Sequence, residues 1–86
     1  MRTIWKFPLE VEDVQHVFMP AGAEILTVQV QSGLCVMWAI CDPGAQQVRR
    51  LIHIAGTGHP APEGKYIGTC QDGLGLVWHV FDGGTP

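Results

Sequence analysis

Turn-forming residues break this chain roughly every 8–12 residues, and no stretch between the breaks carries a sustained 3.6-residue apolar period. Together these two features confine the fold, because only short extended segments fit between the breaks. Pro20-Ala21-Gly22-Ala23, Ser32-Gly33, Asp42-Pro43-Gly44-Ala45 and Asp72-Gly73-Leu74-Gly75 are the clearest turns. Strands are expected from Thr3 to Leu9, Val14 to Met19, Glu24 to Gln31, Leu34 to Cys41, about Gln47 to Ala55, Tyr66 to Gln71 and Leu76 to Phe81. Residues 82–86 read as a frayed tail. In the third segment Leu26, Val28 and Val30 share one face, with Thr27, Gln29 and Gln31 opposite. The fourth is apolar on both faces, which suits a central strand or one covered by a partner. The expected fold is all-β: a single small sandwich or barrel-like domain of about seven short, mostly antiparallel strands, with little or no helix.

Composition narrows the function classes. With 47% hydrophobic and only 15% charged residues, the chain has material for a core but little charge to cover its surface, a balance that favours a homo-oligomer. A net charge of -3 with only five Lys and Arg argues against gripping a nucleic-acid polymer through its phosphates. No apolar run approaches the roughly 20 residues of a membrane span. Cys35, Cys41 and Cys70 are an odd number, and Met1-Arg2-Thr3 leads directly into Ile4-Trp5 without a signal-peptide pattern. The expectation is therefore a reduced, cytoplasmic protein whose cysteines are small core residues.

One stretch could hold a ligand. Leu51-Ile52-His53-Ile54-Ala55 runs straight into Gly56-Thr57-Gly58-His59-Pro60. Gly56 and Gly58 allow positive φ, so the amides between them can form an anion-binding concavity. Thr57 adds a hydroxyl and His59 a ring of a type that titrates near neutrality. Arg50 and Lys65 flank the loop and can supply a cation, and Tyr66 a stacking surface. The candidate ligand-binding set is thus Gly56, Thr57, Gly58, His59, Arg50, Lys65 and Tyr66. The competing interpretation is a plain glycine-rich turn with a solvated histidine, and no helix follows to make a strand–loop–helix phosphate fingerprint.

Other chemistries lack their signatures. His16, His53, His59 and His79 show no zinc-type spacing with one another or with the cysteines, so no metal is expected. His53 and His79 lie in strands among apolar neighbours, where a hydrogen-bonded core or face histidine is the usual outcome. Carboxylates cluster at turns, and no Ser/His/Asp order occurs. A histidine-based phosphodiesterase needs two matched His-x-Thr elements, whereas Thr57 and His59 give one in reverse order. No catalytic residues and no cofactor are expected.

Several segments together carry a resemblance. They are Thr3-Ile4-Trp5-Lys6-Phe7-Pro8-Leu9, Met19-Pro20-Ala21-Gly22-Ala23, Ile25 to Gln31, Trp38 to Pro43, Gly56 to Pro60, Tyr66 to Thr69 and Val77 to Phe81. In these the chain resembles a family of small uncharacterised proteins common in tailed-phage genomes and prophages, a domain of unknown function. Relatives often carry Phe where this chain has Cys70, which implies a packing role for that thiol. The resemblance implies a phage-type accessory factor acting in the host bacterial cytosol, by analogy of kind. The resulting expectation is a non-catalytic binding protein that sequesters a small phosphorylated ligand such as a nucleotide immune signal. The alternative is an interaction module that inhibits a host protein through an exposed apolar face or sheet edge.

Overall fold

A computed structural model describes Met1 to Pro86 as seven antiparallel strands in two sheets, with no helix. The strands are β1 (Thr3–Pro8), β2 (Val14–Pro20), β3 (Glu24–Gln31), β4 (Leu34–Cys41), β5 (Gln47–Gly56), β6 (Lys65–Gln71) and β7 (Val77–Gly84). One sheet has the order β1-β4-β3 and the other β2-β5-β7-β6. The all-β expectation stands, and the breaks fall where turn chemistry puts them. At Asp42, for example, the backbone carbonyl accepts from the Ala45 amide at 3.0 Å and the carboxylate from the Gly44 amide at 3.0 Å.

The two-sided apolar β4 is the central strand of the first sheet. Its Cys35, Met37, Ala39 and Cys41 face the second sheet, where Met19, Ile52, Ile54, Cys70 and Val80 complete a buried core. Edge strands β3 and β6 close one side of the sandwich. A Cβ added to Gly68 would lie 3.0 Å from Val28 Cγ1, so the absence of a side chain there eases the close approach of β6 to β3. The Gly73 amide donates to the Gly33 carbonyl at 3.0 Å, tying together the two hairpin loops at one end.

Three expectations need correction. First, the alternation drawn through β3 fails at Leu26. The register with β4 shifts between Ile25 and Thr27, so Ile25, not Leu26, packs against the core, and Leu26 is exposed. Second, the chain does not fray after Phe81. β7 continues to Gly84 because Asp82 lies in register with Lys65 on one side and Ile52 on the other. Its carboxylate also receives Arg50 Nη1 at 2.8 Å and the Gly84 amide at 2.8 Å. Third, Cys35 and Cys70 form a disulfide rather than remaining as free thiols. Their strands belong to different sheets, and it is the closure of β3, the neighbour of β4, against β6 that brings the two Cα atoms to 6.3 Å. Both residues are buried, as a packing role requires, and Cys41 is a free, buried thiol.

Candidate functional site

The Gly56-Thr57-Gly58-His59 segment forms a tight turn at the end of β5. The His59 amide donates to the Gly56 carbonyl at 3.2 Å, and Gly58 has φ +91, as the third residue of a type II turn requires. The Thr57 and Gly58 amides donate to no protein acceptor, and both residues are exposed. The bend is therefore open. The His59 ring lies over Gly56, where a Cβ would meet its Cδ2 at 3.3 Å and Trp78 Cζ3 at 3.6 Å.

Beside the turn, on the face of the second sheet turned away from the core, runs a chain of polar side chains. Thr57 Oγ1 is 2.8 Å from His79 Nε2, and His79 Nδ1 is 3.0 Å from Thr69 Oγ1. Thr69 Oγ1 is in turn 2.6 Å from the Tyr66 hydroxyl. Both ring nitrogens of His79 are thus engaged by hydroxyls. Tyr66 also packs edge-to-face on Phe81, with ring centroids 5.6 Å apart.

A depression of about 140 Å³ borders the turn, lined by Gly56, Thr57, Gly58, His59, His79 and Phe81 among others, with no carboxylate. That is below the roughly 300 Å³ of a whole-ligand pocket, so it suits one chemical group of a larger molecule. On the other side of His59 lies a groove of about 460 Å³ that includes Asp13, His53 and Trp78. Nowhere do three or more His, Cys, Asp or Glu side chains gather in a metal-ligating group.

The predicted site residues divide between two places. Gly56, Thr57, Gly58 and His59 form the turn, and Tyr66 reaches it through Thr69 and His79. Arg50 does not reach it. Only 9% exposed, Arg50 is held between Asp82 and the Ala23 carbonyl, to which Nη2 donates at 2.6 Å. Its charge is answered inside the protein, and its Nε is buried without a partner. Arg50, Lys65 and Tyr66 line a separate cleft of about 340 Å³ between β3 and β6, together with Glu24 and Asp82. The register shifts at Leu26 in β3 and at Ile67 in β6 both fall at this cleft.

Two residues of the polar chain, Thr69 and His79, were absent from the sequence-predicted set. The signal existed: closing the hairpin at residues 72–76 pairs Gln71 with Val77 and so sets Thr69 opposite His79. That hairpin is itself braced, since Asp72 accepts from the Leu74 and Leu76 amides at 2.8 and 3.1 Å and from Trp78 Nε1 at 2.8 Å. The indole hydrogen bond, with those of the two amides, holds the Asp72 carboxyl below the usual carboxylate range.

Neither the curated proteins nor the solved structures contain a match to this chain. A family model does match, over residues 1–86, and by it the chain belongs to DUF7352, a domain of unknown function.

Proposed function

We propose that this is a binding protein without catalysis that captures a small phosphorylated molecule at the Gly56–His59 turn. One observation carries the proposal. Two unpartnered backbone amides, Thr57 and Gly58, stand at the end of a hydrogen-bonded side-chain line leading through His79 and Thr69 to the exposed Tyr66. A phosphoryl group takes the amides and the Thr57 hydroxyl, in a depression where no carboxylate opposes it. The planar remainder lies along the sheet face toward Phe81 and Tyr66. Gly56 and Phe81 are set apart by about three residues of strand, roughly 10 Å, which matches the reach of a nucleotide. Arg50 has no part in this site, because its guanidinium is committed to Asp82 and Ala23. The resemblance to phage-type proteins favours a nucleotide immune signal as the candidate, with the protein as a counter-defence sequestering factor. Calorimetric titration with a panel of mono- and cyclic nucleotides tests this. Binding should weaken about 3- to 10-fold in Thr57→Val and again in Tyr66→Ala. Absence of heat from every member of the panel rejects the proposal.

A second possibility has its own observation. Val11, Leu34 and Leu74 are 55%, 60% and 86% exposed and line one depression of about 410 Å³ with the buried Leu9. Three exposed aliphatic side chains around one hollow suit an interaction module that docks on an apolar protein surface. Capture of a partner that Leu74→Glu abolishes and Thr57→Val leaves intact favours this alternative.

A further inference from the structure

We infer that His79 sets the hydrogen-bonding polarity of the turn, so that gaining a proton removes the tautomer in which Thr57 can only accept and biases the site toward acceptor-only anions such as phosphoryl and sulfuryl groups. The inference rests on the anion-binding role proposed for the turn and adds what controls it. It follows from counting protons along the line Thr57–His79–Thr69–Tyr66, whose three links span 2.6 to 3.0 Å.

A neutral imidazole has one N–H and one bare nitrogen. With the proton on Nδ1, the ring donates to Thr69, Thr69 donates to the Tyr66 oxygen, and Tyr66 is left with its own proton for a ligand. Nε2 must then accept, which consumes the Thr57 proton and turns oxygen lone pairs toward the turn. With the proton on Nε2 the line runs the other way. Thr57 keeps a proton for the ligand, while Tyr66 spends its own on Thr69. Either neutral form thus leaves one terminal hydroxyl unable to donate outward. When water protonates the ring, both nitrogens donate, and both terminal hydroxyls are released to donate outward together. The imidazolium also adds a positive charge one hydrogen bond from the Thr57 hydroxyl.

The surroundings leave His79 as the determinant. Facing it are Ala55 from β5, Thr69 and Tyr66 from β6, and Thr57 and His59 from the turn. Phe81 is uncharged, and Asp72 binds Trp78, the preceding residue of β7, whose side chain points to the opposite face. Two other groups of a type that titrates in the same range lie nearby: His59 in the turn, and His53 on the outward face of β5 opposite Phe81.

The test uses sulfate, whose charge is constant between about pH 5.5 and 7.5, so that any pH effect belongs to the protein. Amide chemical shifts of Thr57 and Gly58 report binding, and the ring resonances of His79 report its titration. Sulfate should bind about tenfold tighter at the lower pH and should raise the titration midpoint of His79. His79→Gln should bind with little pH dependence, and His59→Gln should keep most of it. Thr57→Val leaves the ring in place and serves if His79→Gln does not fold; it should lose most of the pH response. Equal affinity at both pH values, or a response that follows His59 instead, overturns the inference and leaves the binding proposal standing. No shift of either amide at any pH removes the binding proposal itself, and this inference with it.

Discussion

Individual side chains hold the candidate site in place, and Asp72 illustrates how. Its carboxylate caps the β6–β7 hairpin and fixes the Trp78 indole next to the residue that bridges Thr57 and Thr69. Because these hydrogen bonds keep its carboxyl below its unfolded value, they stabilise the fold above that value, and the contribution disappears as pH falls through the lower folded value. Asp72→Asn should therefore lower the denaturation midpoint at neutral pH, and the gap to the unaltered protein should narrow in acid. Chemical denaturation at a series of pH values measures it. In the core, Met37 is fully buried between the sheets, and Met37→Ala should cost about 2–5 kcal/mol in the same assay. At this scale the sequence was informative where chemistry is local: the Asp42 and Asp72 turns and the bend at Gly58 could be read from four consecutive residues, although Gly56, expected to share the positive φ, is the last residue of β5 and lacks it. Arg50 could not. Its neighbours in sequence point to the loop, whereas its partners, Asp82 and Ala23, are brought to it by pairing across two strands.

Among the elements, strand positions were legible and strand irregularities were not. Periodicity and turns placed all seven strands, β7 ending three residues early at Phe81. The bulge at Leu26 leaves no local signature, since an apolar residue there satisfies either face until β4 sets the register. Pairing between elements also decides where glycine is required. Gly64 has φ +122, and a Cβ there would stand 2.5 Å from the Asp82 carbonyl oxygen. Gly64→Ala should thus cost more than about 1 kcal/mol and disturb the β6–β7 pairing next to Lys65, as hydrogen exchange would report. The Cys35–Cys70 bridge links positions 35 residues apart and joins the two sheets. Its reduction should lower stability by about 2–4 kcal/mol, with Cys41→Ser leaving that difference unchanged. Comparison of denaturation curves with and without reductant decides it.

For the molecule as a whole, the scarcity of charge and the exposed aliphatic side chains near the Gly33–Gly73 end argue for self-association. Val11, Leu34 and Leu74 surround one hollow there. Light scattering should show a mass above that of a monomer, and Leu74→Glu, at a side chain 86% exposed in the single chain, should reduce it and remove any dependence of the thermal midpoint on protein concentration. The same end carries the Gly56–His59 turn, whose surrounding depressions also touch the β6–β7 hairpin. The proposed function places a phosphorylated ligand at this turn, whose Thr57 and Gly58 amides no protein group engages. Amide and aromatic resonances recorded while a nucleoside monophosphate is titrated in test it most directly. The expected result is movement of the Thr57 and Gly58 amides together with the Tyr66 ring. Saturable binding that moves Lys65 and Leu26 in the β3–β6 cleft while the turn stays still would contradict it.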